Sequence, residues 1–266
     1  MNSKQKINII IPSRTQDSQL DFLDRAIRSI AAQSALSALE VEILIALDPG
    51  QSIDVERLSA AAGEMKLKTV NGVLSGQAPA LNAGIRGFDA DLVAFLEDDD
   101  RWRDQYLKVV LDALEQGAGF ISSTQLELDE RNRVVKINDF PIPSGWVMPA
   151  RTLREVGQFN EDYRFHLDNE WLGRLAATGA LRCHLVEATA PVKPERMAAA
   201  RPQLLNYHRN GGEKAGLLRH GDPIPLILRL VHSGSGMEGI RTRREMHEIS
   251  VAEQGRLVAT YGRLPW

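Results

Sequence analysis

Three short runs of almost uninterrupted apolar residues, at 7–11, 41–47 and 92–96, constrain the fold more than any other feature of the sequence. A strand with one wet face alternates apolar and polar residues, so runs of this kind predict strands buried on both faces. Between the runs, apolar residues recur at helical spacing. Strands that alternate with helices predict an α/β fold with a mostly parallel central sheet and helices on both faces.

The second half of the chain carries weaker signals of the same kind, and the pattern fades after residue 190. A hairpin is predicted around the sequence DERN at 129–132. A C-terminal helix is expected over residues 242–260. We therefore expect one α/β domain over residues 1–190, and an extension over 191–266, consisting of a loop and a helix, that packs on it.

Composition excludes several classes of protein. The net charge of −3 argues against a nucleic-acid partner held by charge. The single cysteine, Cys183, rules out an internal disulfide and is typical of a reducing compartment, so we expect a cytoplasmic protein. No run approaches the roughly 20 apolar residues that span a bilayer, so no transmembrane segment is expected. Residues 224–232 fit either the core, which we favour, or a membrane surface with peripheral attachment.

The apolar run at 92–96 ends in four consecutive acids, Glu97, Asp98, Asp99 and Asp100. Two like charges about 4 Å apart repel by about 4 kcal/mol at an effective dielectric near 20. A divalent cation removes this repulsion, and Mg²⁺ binds one or two carboxylates together with substrate phosphates. The alternative, a solvated turn in which Asp100 caps the next helix, accounts for only one acid. The cluster therefore predicts a divalent-metal site, for Mn or Mg, completed by a phosphorylated ligand.

Two other strand ends are polar as well. Pro12, Ser13 and Arg14 follow the first strand, and Asp48 follows the second. Ligands of parallel α/β sheets bind beyond the carboxyl ends of the strands, so we expect these residues to share one site with the acids. Asp48 could accept hydrogen bonds from a base or ribose, and Arg14 could stack on a base or bind phosphate. The sequence contains neither G-x-G-x-x-G nor G-K-[ST], the signatures of dinucleotide folds and P-loop NTPases.

Asp168 lies on the apolar face of a predicted helix. It shares this face with Trp171, Leu172 and Leu175 at the i, i+3, i+4, i+7 spacing, so the face turns inward. An acid in this place either caps the helix or is a partly desolvated base whose raised pKa suits proton transfer near neutrality. On the residues alone both interpretations stay open.

Six segments in this order resemble the motifs of the inverting family 2 glycosyltransferases over residues 6–190. They are INIIIPSR, EILIALDPG, GQAPALNAGI, LVAFLEDDDRW, WVMPARTLREVGQFNEDY and HLDNEWLGRL. The resemblance implies the GT-A fold of nucleotide-diphospho-sugar transferases, with residues 1–190 as the catalytic domain. Five positions depart from the family pattern. Arg14 replaces a tyrosine-like residue, and Pro49 replaces the second aspartate of its strand end. The first acid of the D-x-D motif is Glu97, Leu81 replaces the arginine that often precedes Asn82, and Leu167 replaces the glutamate before Asp168. These departures obscure which donor is used.

The resemblance also implies a role for each candidate residue. The donor is a nucleotide sugar, expected to be a UDP-sugar, whose diphosphate binds a Mn or Mg ion held mainly by Asp99. His208 and Arg209, in a late loop, could reach the metal or the diphosphate when the loop closes, with His208 as a metal ligand; the alternative is an ordinary surface loop. Asp168 deprotonates the hydroxyl of a glycan, lipid-linked or small-molecule acceptor, which attacks the anomeric carbon and inverts it. The nucleotide-binding residues are expected to be Pro12, Ser13, Arg14, Asp48, Asn82 and Asp98.

Two other functions fit the same residues. A nucleotidyltransferase of related fold would use the metal cluster on a nucleoside triphosphate and would not need Asp168 as a base. A non-catalytic nucleotide-sugar binding protein is the second alternative, suggested by Arg14 and Pro49.

Overall fold

The structure of the protein is a computed structural model that describes residues 4–14, 17–138, 140–187, 202–207, 213–219 and 225–265. Its strands are β1 (Gln5–Ser13), β2 (Leu39–Leu47), β3 (Lys66–Asn71), β4 (Leu92–Phe95), β5 (Arg101–Trp102), β6 (Phe120–Ser123), β7 (Gln125–Asp129), β8 (Val134–Asn138), β9 (Trp146–Pro149), β10 (Arg182–Glu187), β11 (Pro202–Tyr207), β12 (Glu213–Arg219) and β13 (Ile227–Val231). Its helices are α1 (Asp17–Ala31), α2 (Val55–Ala62), α3 (Gln77–Gly87), α4 (Tyr106–Glu115), α5 (Ala150–Val156), α6 (Leu167–Ala177), α7 (Gly236–Thr242) and α8 (Arg244–Tyr261).

Within the described residues, the larger of two sheets has nine strands in the order β12-β11-β10-β6-β9-β4-β1-β2-β3. Strands β3, β2, β1 and β4 are parallel neighbours joined by helices, as the apolar runs predict. Beyond β4 the sheet becomes mixed, because β9 runs antiparallel to both of its neighbours. The parallel part brings the carboxyl ends of β1, β2 and β4 to one edge, which is where the candidate residues fall.

Helices cover both faces of this sheet. Alternate residues of β1 point to opposite sides, so Ile9 packs in one apolar cluster with α1 and α4, and Ile10 in the other with α3 and α6. Both side chains are fully buried. Burying such a side chain contributes about 1.5–3 kcal/mol, and the two clusters together account for the continuous apolar character of the first strand.

The smaller sheet has the order β5-β13-β7-β8. Strands β7 and β8 form the predicted hairpin, with Asn132 in the left-handed conformation (φ 58°) in its turn. Strand β13 lies between β5 and β7, and the preceding Leu226 and the first residue, Ile227, are fully buried. Of the stretch 224–232 that was predicted to pack on the core, Leu226 and Ile227 belong to the core cluster, and residue 224 lies outside the described residues. The extension contributes a strand as well as its predicted C-terminal helix, α8.

Strands β11 and β12 occupy part of the region predicted to be a loop, and they extend the large sheet by antiparallel pairing from β10.

Among the helices of the described residues, none is both long enough and apolar enough to cross a bilayer.

Candidate functional site

The acidic turn after β4 is the centre of the site. Glu97, Asp99 and Asp100 each direct one carboxylate oxygen to a common point, with these oxygens all within 4.8 Å of one another. The turn is closed by a hydrogen bond from the Asp100 N–H to the Glu97 carbonyl. Three acids that face each other at this distance have the oxygen-rich chemistry that a hard divalent cation requires.

Asp100 is buried and serves as an internal acceptor. Its carboxylate accepts hydrogen bonds from the Ser144 hydroxyl at 2.6 Å and from the backbone N–H of Leu230 at 3.1 Å. Burial, followed by the neighbouring charges of Asp99 and Glu97, raises the pKa of Asp100 well above its ordinary value. The expectation that Asp100 caps the next helix is wrong, because strand β5 intervenes and α4 begins only at Tyr106.

Glu97 is held from both sides. Its backbone N–H donates to the Ser144 hydroxyl, and its carboxylate accepts from the Gln77 amide at 2.6 Å, at the start of α3. Burial, and then the charge of Asp99, raises the pKa of Glu97. Its carboxylate is therefore held in a fixed position within the acidic cluster.

The ends of β1 and β4 meet as predicted. The Ser13 hydroxyl donates to Asp98 at 2.7 Å across 85 positions of the chain. Burial is the largest cause that raises the pKa of Asp98 to about 7, and the hydrogen bond from Ser13 and the charge of Arg14 oppose it. Pro12 occupies the next-to-last pair of the β1–β2 ladder, opposite Ala46. Pro12, Ser13, Arg14 and Asp98 therefore lie in one neighbourhood.

Asp48, which follows β2, fixes the loop before α3. Its carboxylate accepts from the backbone N–H of Gly76 at 2.8 Å, and its carbonyl accepts from the Asn71 amide. Gly76 has φ 127°, a conformation that favours glycine, and precedes the first residue of α3. Asp48 is thus in place at the sheet edge, with one carboxylate oxygen used to shape the adjacent loop.

Asn82 lies deeper than the sequence suggests. It is buried in the middle of α3, where its amide donates to the Phe159 carbonyl and to the Glu161 carboxylate and accepts from the Phe159 N–H. Both amide protons therefore have protein partners. The side chain attaches α3 to the loop at 159–161. Asn82 would therefore affect nucleotide binding indirectly, by holding that loop in place.

His232 is a site residue that the sequence reasoning missed. It follows β13, and its Nε2 lies in a hydrogen bond 3.0 Å from the Oδ2 of Asp99, while its ring packs 5.3 Å from that of Phe22. The hydrogen bond to Asp99 is the main cause that raises the pKa of His232. The sequence signal that could have identified His232 is its place at the end of an apolar, strand-like run. The predicted metal ligand His208, and Arg209 beside it, lie outside the described residues.

Arg229 is a second residue that the sequence reasoning missed. It places a positive charge near the acids of the turn. It lies on β13, is largely buried, and its Nη1 is 3.5 Å from the Glu127 carboxylate. Burial by itself would lower the Arg229 pKa, but the charges of Glu97 and Asp100 contribute to raising it above its ordinary value. A fixed cation here offsets part of the repulsion that the four consecutive acids create.

Asp168 is in the first turn of α6, and His166, not Asp168, is the N-cap residue. The N-cap interpretation of Asp168 is therefore wrong. Its carboxylate accepts from the backbone N–H of Asn169 at 2.7 Å. The pKa of Asp168 is raised to about 7, with burial as the largest cause; the charge of Glu97 adds to the rise, while the hydrogen bond from Asn169 and the charge of Arg229 oppose it. Asp168 therefore lies close enough to Glu97 and Arg229 for their charges to act on its carboxyl.

Residues 8–177 match the sequence model of the family described as glycosyl transferase family 2. The chain belongs to this family. The sequence-based assignment is thereby confirmed, and the match spans every strand end that contributes an acid to the site. No curated protein matches the chain in sequence.

Solved structures share the fold of this chain. S. aureus TarS 1-349 in complex with UDP-GlcNAc is 11% identical, with a TM-score of 0.59, and the alignment covers 95% of this chain and 66% of that one. The mannosyltransferase PcManGT from Pyrobaculum calidifontis, in complex with GDP-Man and Mn2+, is 16% identical, with a TM-score of 0.52 and coverage of 71% and 58%. The chain covers only 33% of the longer S. aureus TarS chain. At these identities the likeness shows the GT-A fold.

In this family 2 protein, the arginine of the α6 motif is a structural anchor. Arg174 forms a two-pronged ion pair with Glu170, with bonds of 2.9 and 2.8 Å, and its guanidinium also donates to the carbonyls of Val156 and Gln158 at the end of α5. A bidentate pair of this kind is geometrically specific. The pair orients the guanidinium, whose bonds to the Val156 and Gln158 carbonyls attach α6 to the end of α5.

Proposed function

We propose that this protein transfers a sugar from a nucleoside-diphosphate sugar to an acceptor hydroxyl, in a metal-dependent reaction that inverts the anomeric carbon. The observation that supports the proposal is the buried Asp168, with a pKa of about 7, on which the charge of Glu97 acts; Glu97 is one of the clustered carboxylates, with Asp99 and Asp100. A nucleotidyltransferase would need the carboxylates but not the base. Membership of the family supports the first reaction.

The donor set fits a hard divalent cation such as Mn or Mg. The clustered carboxylates supply oxygens, and His232 adds an imidazole nitrogen beside Asp99. We propose Asp99 and His232 as ligands, with Glu97 and Asp100 as the surrounding negative charge. His208 remains a proposal, for the case in which its loop closes over the bound donor. When bound, the cation would act as a Lewis acid that stabilises the negative charge of the departing diphosphate.

We propose that the ends of β1, β2 and β4 hold the nucleoside. Ser13 and Asp98 are already paired and would face the ribose, while Asp48 and Arg14 would approach the base or a phosphate. Pro12 shapes the end of β1, and Asn82 would act through the loop at 159–161. A UDP-sugar is the proposed donor, because S. aureus TarS 1-349 was solved with UDP-GlcNAc and aligns with 95% of this chain.

Asp168 would remove the proton of the acceptor hydroxyl. The acceptor oxygen then attacks the anomeric carbon, and the nucleoside diphosphate leaves with the bonding electron pair. A carboxylate with a pKa near neutrality is suited to this transfer, because it is both ionised and basic at working pH. A glycan, a lipid-linked sugar or a small molecule would serve as the acceptor, and the single buried cysteine supports a cytoplasmic location.

The proposal is tested by measuring turnover of UDP-GlcNAc, other UDP-sugars and GDP-Man with Mn²⁺ for the wild type and for Asp168→Asn. Loss of the base should lower turnover by at least about a hundredfold while nucleotide binding persists. Asp162→Asn, an exposed acid in the turn before α6, is the matched control. Unchanged turnover in Asp168→Asn would contradict the base assignment, and binding of a nucleotide sugar without any transfer or hydrolysis by the wild type would favour a binding protein.

A further inference from the structure

The C-terminal helix α8 holds the turn from which α6 begins. Its residue Glu253 is buried, with 2% of its surface exposed. One carboxylate oxygen accepts from the backbone N–H of Arg164 at 2.7 Å, and the other accepts from those of Phe165 at 2.9 Å and His166 at 3.0 Å. These residues immediately precede Leu167, the first residue of α6, and Asp168 follows it.

Further contacts on the same face of α8 reinforce this attachment. The Ser250 hydroxyl lies 2.9 Å from the Nε2 of His166, and the Tyr261 hydroxyl donates to the Glu170 carbonyl at 3.3 Å. Ser250, Glu253, Leu257 and Tyr261 recur at three- and four-residue spacing, so they form one stripe directed at α6. The contacts therefore bind both the residue that precedes α6, His166, and the first turn of the helix.

The chemistry of this contact is specific to a carboxylate. The N–H groups before and within the first turn of a helix have no partner inside that helix, and a negative charge near the helix N-terminus is favourable. A buried carboxylate, in turn, needs hydrogen bonds to offset its loss of hydration. Three consecutive N–H groups satisfy Glu253 and define the direction in which the chain enters α6.

We propose that Glu253 is a positioning residue that holds the first turn of α6, and with it Asp168, at the acidic cluster. The inference rests on the proposed role of Asp168 as the base. Because α8 lies beyond residues 8–177, the geometry of the base then depends on a segment outside the region that matches the family. A displacement of about 1 Å of a catalytic group can cost about a hundredfold in rate, so an anchor of this kind matters for turnover.

Glu253→Gln tests the proposal, because it keeps the shape of the side chain and replaces one oxygen by an NH₂ group. That group would point a donor at a backbone donor, so at least one of the three hydrogen bonds is lost. We expect amide hydrogen exchange at residues 164–168 to accelerate by at least about tenfold. We expect kcat to fall by about tenfold to a hundredfold, while the Kd for UDP with Mn²⁺ stays within about twofold.

Glu248→Gln is the matched control. Glu248 is an exposed acid of the same helix that pairs with Arg244 at 2.7 Å, and its replacement should leave exchange and kcat unchanged. Glu253→Asp keeps the negative charge but shortens the side chain by one methylene, so the carboxylate lies farther from the three N–H groups. Its kcat should therefore lie between those of the wild type and Glu253→Gln. This second variant decides the question if Glu253→Gln folds poorly.

Unchanged exchange at residues 164–168 in Glu253→Gln would overturn the inference, as would a rise in the Kd for UDP that matches the fall in kcat. If Asp168→Asn abolishes transfer while Glu253→Gln turns over normally, the positioning role fails and the proposed function stands. If Asp168→Asn retains full transfer, the base assignment fails and the Glu253 inference, which rests on it, fails too. The exchange rates then still show whether Glu253 holds the start of α6.

Discussion

His232 and Asp99, 133 positions apart in the chain, meet in a hydrogen bond of 3.0 Å between Nε2 and Oδ2. The carboxylate comes from the turn after β4, and the imidazole comes from the residue after β13, in the C-terminal extension. Neutral imidazole and carboxylate are both ligands for divalent transition metals. The extension therefore reaches the acidic turn of the family 2 domain, and these two groups are the proposed ligands of the cation.

Replacing His232 by alanine should weaken Mn²⁺ binding. Removing a ligand or its immediate partner costs about tenfold to a hundredfold in metal affinity, so the Mn²⁺ concentration for half-maximal activity should rise by that factor. A titration of activity with Mn²⁺, alongside calorimetry in the presence of UDP, measures the effect. His247→Ala, on the exposed surface of α8, is the control. An unchanged Mn²⁺ requirement would exclude His232 and direct attention to His208.

Asp168→Asn should stabilise the fold at alkaline pH even as it removes activity. The folded-state pKa of about 7 lies above the ordinary value of 3.8, so the ionised carboxyl destabilises the folded state as pH rises through this interval. Below the unfolded pKa both states are protonated and the difference disappears. About 3 pKa units set an upper bound of about 4 kcal/mol at pH 8. Thermal unfolding at pH 3 and pH 8, without metal, should show a gain in Tm only at pH 8.

Asp162→Asn is the control for that experiment, because its side chain is exposed. A Tm difference that is equal at both pH values would indicate a change in packing and not the loss of a buried charge.

Asn82 and Ser13, both predicted to bind the nucleotide, should respond differently to truncation. Asn82→Ala leaves the buried N–H and carbonyl of Phe159 without partners, which costs about 1–3 kcal/mol for each such group. Ser13→Ala removes one hydrogen bond to Asp98, so it should raise the Kd for UDP by about threefold to tenfold with little change in stability. Urea unfolding and UDP binding with Mn²⁺ measure the two effects. A selective loss of UDP affinity in Asn82→Ala would show instead that this amide contacts the nucleotide.

Gly84→Ala should destabilise the protein because α3 lies directly on β1. A Cβ at this position would overlap the Cγ2 of Ile10, which is fully buried and has no free space into which to move. Overpacking of this kind costs about 1–3 kcal/mol. Gly255→Ala, in α8, has nothing within 4 Å of the added carbon and should gain up to about 1 kcal/mol from helix propensity. Equal unfolding midpoints for the two variants would contradict the close approach of α3 to β1.

Local sequence patterns predicted the parallel part of the sheet and the shared edge of the site. Continuous apolar runs occur where a strand is covered on both faces, and residues after such runs fall at one sheet edge whatever the loops do. That is why Ser13 and Asp98 could be placed together in advance. The pattern failed at Asp100, because a two-residue strand, β5, is too short to leave a periodic signal.

The sequence by itself determined the family, the α/β fold and the acids that end β4, since these depend on the order and periodicity of neighbouring residues. Only the tertiary structure decided the partners of those acids. Arg229 and His232 reach the cluster because β13 inserts between β5 and β7, and Glu253 reaches the start of α6 because α8 packs on it. Contacts between residues far apart in the chain arise from the packing of whole elements, and no local pattern records which side chains that packing brings together.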